Sequence, residues 1–225
     1  MVTLQELIGQ KKYDLLYTHY DMNGLLIQDM EDVFYCNDNE IPQDRIPNLE
    51  ALLTPIDDIN SSLVPIEAAK LLAAWGFEKA IDYFEYCIDN RIDRLGNIEP
   101  HRLHTAYDTI YEKIAESLFQ YHVRYTERDY IISNSFYGEL GERARRRISI
   151  PLIKIIELSR ELTIDLCGII GKLSTRDWPE FLPVLKECYL DFSQRPEGDL
   201  SRKWNLPILR NFFMSRRNNI DTHFN

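Results

Sequence analysis

The chain has no apolar run approaching the roughly 20 residues that a membrane-spanning helix needs. Its N-terminal MVTLQELIGQKKYD has no basic stretch leading into an apolar one, so no secretory signal is expected. Nine glycines and ten prolines punctuate 225 residues. No segment alternates apolar and polar residues over more than a few positions, so strands are not expected. The four cysteines, Cys36, Cys87, Cys167 and Cys188, form no CxxC pair. Three lie among apolar helical residues, and buried free thiols in a reducing cytoplasm are expected rather than disulfides or zinc. A P-loop, a dinucleotide fingerprint, a nucleophile elbow and a kinase set are all missing. The GIIGK at 168–172 sits in a hydrophobic helical stretch and is too short for a phosphate loop. No catalytic residue and no cofactor is therefore expected, and the chain is read as a non-enzyme.

What is abundant is acid. The formal net charge is −10 and it is uneven. Residues 1–100 carry 19 acids against 7 bases, net −12, and residues 101–225 carry 17 against 19, net +2. An acidic half repels phosphate backbones, which speaks against nucleic acid as its partner. It attracts a basic protein and speeds the encounter. With 44% hydrophobic residues the chain can still bury a substantial core.

Helical periodicity runs through the sequence. A first helix is expected at about 3–18, and residues 21–35 are ambiguous because Asn23-Gly24 is a turn signal inside a helix-like pattern. NLEALLT is expected as a short helix capped by Asn48, and DDINSSLVP as a connection with Pro65 in the first turn of the next helix. In IEAAKLLAAWGFEKAIDYFEYCID, Ile66, Ala69, Leu72 and Ala73 make one apolar stripe, and Phe77, Ala80, Ile81, Phe84 and Ile88 another. The Trp75-Gly76 link forces an antiparallel hairpin that needs neighbours to bury both stripes. Further helices are expected from about His104 to Arg124, then, past a break at SNSFYG, over 149–172, after a cap at Thr175 or Asp177 with Pro183 inside, and over SRKWNLPILRNFFM, followed by a polar tail. The fold class is read as all-α in a single domain, 1–225: helical hairpins stacked as a short irregular α-solenoid.

EAAKLLAAWGFEKAIDYFEYCI resembles a HEAT-type repeat, an Ala-rich helix leading through a Gly turn into an amphipathic one. Together with NLEALL before it and PHRLHTAYDTIYEKIAESL after it, about residues 45–125, it is similar to bacterial HEAT-like proteins encoded beside polymorphic toxins. The resemblance implies a cytoplasmic immunity protein that binds and blocks a cognate toxin.

Several residue groups carry candidate chemistry. Glu78, Asp82, Glu85 and Asp89 step by four, three and four along one helix face, flanked by Tyr83 and Tyr86. Like charges at that spacing cost a few tenths of a kcal/mol per pair, and acids interleaved with tyrosines suit a protein-binding face. The blander account is a solvated face partly neutralised by Lys79 and Arg91. With Asp93, a second patch of Asp29, Glu31, Asp32 and Asp38, continuing to Glu40 and Asp44, extends the proposed acidic surface for a basic partner. DNDNEIPQD lacks the glycine and closing Glu of a calcium loop. His101, His104, Asp108 and Glu112 share one side of a helix and are the alternative, a metal-dependent helical enzyme. A non-catalytic scaffold subunit is the third reading. Arg143, Arg145, Arg146 and Arg147 could meet phosphate, but Glu139, Glu142 and the acidic half offer internal partners.

Overall fold

The computed structural model describes residues 3–101, 103, 107–173 and 178–215. Among them there are eleven α-helices and no strand, only the isolated bridges Tyr20–Leu26 and Pro100–Asp108, so the chain is all-α. No described helix is long and apolar enough to cross a membrane. The chain forms two compact units, Met1–Ile98 with Ser117–Ile148, and Glu99–Glu116 with Ser149–Asn225.

The first unit opens with α1 (Leu4–Ile8) and α2 (Gln10–Tyr17) rather than one helix, because Gly9 at φ 84° closes the first and starts the second. Thr3 and Glu6 cap α1 reciprocally. Residues 20–26 turn back on themselves at Asn23-Gly24, and α3 (Met30–Phe34) follows with Asp29 as its N-cap. α4 (Ile46–Glu50) starts three residues earlier than expected, with Arg45 at the cap and Asn48 inside it.

The hairpin is α5 (Ile59–Ala74) and α6 (Glu78–Asp89). DDINSSLVP is not a connection: Asp58 accepts from the Asn60 and Ser61 N–H groups and starts α5 there, which leaves Pro65 inside the helix. α5 packs against α2, α4 and α6. It is therefore buried on several sides, Ile66, Ala68, Ala69, Leu71 and Leu72 included, rather than along one stripe. Each large apolar side chain removed from water contributes about 2 kcal/mol. α6 stays amphipathic, with Ala80, Ile81, Phe84, Cys87 and Ile88 inward.

α7 (Ile110–Ser133) starts later than expected; the expected start at His104 lies outside the described residues. Asp108 accepts from the Ile110 N–H at 3.0 Å, which fixes the start. α8 (Glu139–Leu158) follows the SNSFYG break. The buried Asp129 accepts from the Gly141 N–H at 2.6 Å and satisfies its first turn.

In the second unit the expected helix over 149–172 is split into the end of α8 and α9 (Cys167–Lys172). The intervening backbone is held by Asn205, fully buried on α11 (Leu200–Ser215): it accepts from the Leu166 N–H at 2.9 Å and donates to the Ile164 carbonyl at 2.8 Å. Because of this break Cys167 is exposed, against expectation; all four thiols are free. α10 (Trp178–Gln194) contains Pro183 as expected, and its proposed caps Thr175 and Asp177 lie outside the described residues, as does the tail beyond Ser215.

Gly76 joins the hairpin helices at φ 83°, and a Cβ there would stand 2.8 Å from Arg128 Nη1. Gly76→Ala is expected to lose about 1–2 kcal/mol, since an L side chain is strained in the left-handed region. Gly168→Ala meets nothing within 4 Å and is expected to be neutral or up to about 1 kcal/mol stabilising. Urea unfolding followed by circular dichroism compares the two.

Candidate functional site

The carboxylate row on α6 is real, but much of it is answered from within the chain. Arg147 on α8 reaches Glu78 at 3.3 Å, Asp82 at 2.6 Å and Glu85 at 2.8 Å, and Arg143 stands 3.9 Å from Glu78. These carboxylates hold the Arg147 guanidinium above its usual range against the opposing effect of burial. Arg145 and Arg146 both pair with Glu142. The basic cluster therefore meets internal partners. The row expected to meet a basic partner is largely paired within the chain: α6 and residues 139–148 of α8 belong to the same unit, and their opposite charges face each other.

Tyr83 is not on the outer face. It is 6% exposed, and its hydroxyl donates to the Thr54 carbonyl at 2.8 Å. Tyr86 is half-buried and accepts from the Ile56 N–H at 3.3 Å. Both rings tie the segment before α5 to α6, because their positions fall between the apolar stripe and the acids. Asp93 is held by Arg91 through two hydrogen bonds. Asp89 is exposed at the end of α6. Asp38 is bound by Arg128 at 2.7 and 2.9 Å, and this hydrogen bonding holds its carboxyl below the usual range.

The remaining acids, Asp29, Glu31 and Asp32, sit at the start of α3, beside a pocket of about 830 Å³. The pocket is built from a turn, two short helices and the end of α5. Asp21 Oδ1 accepts from the Asn23 and Leu25 N–H groups, at 2.9 and 2.8 Å, and the Ile27 N–H donates to the His19 carbonyl at 2.8 Å. With its backbone satisfied in this way, the turn carries Tyr20, Leu25 and Leu26 at 60%, 66% and 48% exposure. Tyr35, just past α3, is also exposed. These four line the pocket together with Asp29, Asp32 and Asp44.

The inner wall is His19 and Trp75. The Trp75 indole N–H donates to the Val33 carbonyl at 2.9 Å, and His19 stands edge-on to it at 6.1 Å. His19 Nε2 donates to the Leu16 carbonyl at 2.9 Å, which leaves Nδ1 to accept from Arg45 at 3.3 Å. Burial pushes the imidazole down to about 4, so the ring is neutral at physiological pH. Arg45, the cation lining the pocket, is turned to the end of α2. It donates to the carbonyls of Asp14 at 2.7 Å, Thr18 at 2.8 Å and Leu15. Among the described residues Asp29, Asp32 and Asp44 enter no salt bridge. The pocket is consequently negative, with an apolar and aromatic lining. Asp29 and Asp32 were readable as acidic. Tyr20, Leu25, Leu26 and Tyr35 were not assigned, and Asn23-Gly24 was the signal that could have placed them around a turn.

The alternative constellation takes structural duties. Asp108 accepts from the Glu99 and Ile110 N–H groups, and His101 Nδ1 accepts from the Leu103 N–H. Glu112 Oε1 accepts from the Asp165 N–H at 2.7 Å, while its buried Oε2 has no hydrogen-bond partner among the described residues. His104 lies outside the described residues. Among those described, no three His, Cys, Asp or Glu side chains could hold a metal ion.

No family model, curated protein or solved structure matches the chain.

Burial, chiefly, raises the Glu112 carboxyl to about 7 from an ordinary 4.5. The folded chain thus binds this proton more tightly than the unfolded chain. The contribution is favourable at low pH and is lost as pH rises from about 4.5 to 7, a difference of about 3 kcal/mol. Glu112→Gln is expected to flatten that slope and to be more stable than the parent at pH 8, read from urea midpoints across the pH range.

Proposed function

We propose that the chain is a non-catalytic binding protein that docks a basic protein, acting as an immunity protein that neutralises a bacterial toxin domain in the cytoplasm. The α5–α6 hairpin, with α4 before it, is read as HEAT-like and as part of a short irregular α-solenoid. Such folds build surfaces for partners by stacking neighbours on each hairpin.

The observation that carries this reading is the pocket at residues 19–45, where Asp29 and Asp32, in no salt bridge among the described residues, stand beside exposed Tyr20, Leu25, Leu26 and Tyr35. Apolar anchors with a charged rim are what a protein interface needs. The charge asymmetry survives the arginines of α7 and α8. The first unit holds 22 acids against 13 bases, net −9, and the second 14 against 13, net −1. A cationic partner, such as a nuclease whose active site binds phosphates, would meet carboxylates at Asp29, Glu31, Asp32 and Asp44 where its substrate's charges belong. Inhibition would come from occlusion. Asp38, Glu78, Asp82 and Glu85 support the surface from behind their arginines and are not its first contacts.

The test is calorimetric titration against the product of the adjacent reading frame at low and high salt. The expected result is a tight complex weakened by salt, with the triple variant Asp29→Lys, Asp32→Lys, Asp44→Lys losing at least about tenfold, or about 1.4 kcal/mol, while circular dichroism shows the helical fold retained and the urea midpoint falls only by the lost Asp29 cap, about 1 kcal/mol. Absence of binding, or binding indifferent to salt and to the triple variant, removes the reading.

A further inference from the structure

The chemistry of the pocket narrows its occupant further, and we infer that it takes an arginine side chain together with an adjacent apolar residue from the partner. This rests on the reading above that the partner is a basic protein. The lining excludes an anion first. Arg45 donates to the carbonyls at the end of α2 and is further balanced by the neighbouring Asp44, and His19 is neutral, so no cation of the lining is left unmatched. Asp32 and Asp44 stand without a salt bridge among the described residues, and Asp29 uses only Oδ1, to cap α3, so its second oxygen is uncommitted.

The choice between guanidinium and ammonium follows from the rest of the wall. An ammonium is compact and strongly hydrated, so entering a partly apolar pocket costs it more. A guanidinium is planar and weakly hydrated; it stacks on aromatic faces and presents a fork to carboxylates. Tyr20 and Tyr35 supply the exposed aromatic surface, and the acids supply the oxygens. A cation alone would leave Leu25 and Leu26 in water. The pocket's volume of about 830 Å³ also exceeds what one side chain needs. A neighbouring leucine-like residue over this pair completes the fit, contributing about 25 cal/mol for each Å² of apolar surface covered.

The test is an NMR titration of the full chain with acetyl-Leu-Arg-Leu-amide and its lysine and citrulline counterparts. The Trp75 indole N–H, held on Val33 at the back of the pocket, is the reporter, together with the amides of Asp29, Asp32 and Asp44. The arginine peptide is expected to bind at roughly millimolar strength, an affinity suited to a short fragment. The lysine peptide should bind several-fold more weakly, and citrulline should leave the signals unmoved. Asp32→Asn with Asp44→Asn should weaken the arginine peptide by about tenfold, with the starting Trp75 signal unshifted as proof of an intact wall. Equal response to lysine and arginine, response to inorganic phosphate, or silence of all three peptides overturns the inference. If the peptides are silent while the adjacent-frame protein binds in a salt-sensitive way, the inference alone falls. If the arginine peptide binds as stated and that protein does not, the inference stands and the immunity reading falls.

Discussion

Arg124 is 5% exposed, and its guanidinium is enclosed by three backbone carbonyls from two segments. It donates to Ala74 at the end of α5 at 2.9 Å, to Cys36 at 2.7 Å and to Phe34 at 2.9 Å. One turn on, Arg128 donates to the Trp75 carbonyl and binds Asp38, and between them the Tyr125 hydroxyl donates to the Gly76 carbonyl at 3.0 Å. These three residues of α7 thus satisfy the carbonyls that the end of α5 exposes, each of which would cost about 1–3 kcal/mol if buried alone. The same contacts pin the segment after α3 against α5. Gly76 has to be a glycine here, and the pocket wall carrying Tyr35 and Cys36 has its position because these arginines hold it.

Electrostatics in the first unit are organised by the same division of labour. Arginines on α7 and α8 cross over to acids of the first hundred residues, Arg128 to Asp38 and Arg147 to Glu78, Asp82 and Glu85. The repulsion along α6, a few tenths of a kcal/mol per pair, is offset by one shared guanidinium. Where those arginines do not reach, at Asp29 and Asp32, charge is left at a concave surface. Arg45, the cation in that neighbourhood, serves as the cap of α2 instead. The fold therefore sorts like residues into braced acids and available ones.

Much was legible in advance because it depends on near neighbours in sequence. The all-α class follows from apolar spacing, and the hairpin from Trp75-Gly76 between two such patterns. The break at SNSFYG and the internal partners of the Arg143–Arg147 cluster were also readable, the latter from the excess of acid alone. Local chemistry misled where two signals competed. Asp58 outranked Pro65 as the start of α5, because a carboxylate accepting two orphan N–H groups sets the first turn. Gly9 split a helix that periodicity alone would join.

Composition and period determined that this chain is helical, acidic at its front and able to bury a core, since those properties sum over residues regardless of where distant ones go. Only the tertiary structure decided which acids pair within the chain. Tyr83 went inward and its neighbours Asp82 and Glu85 went to Arg147, more than sixty positions away. The Asn23-Gly24 turn and α3 came together over Trp75 to make the pocket. A charge's availability depends on the partner that folding brings within a few ångströms, and Coulomb attraction at that range is set by distance in space rather than by separation along the chain.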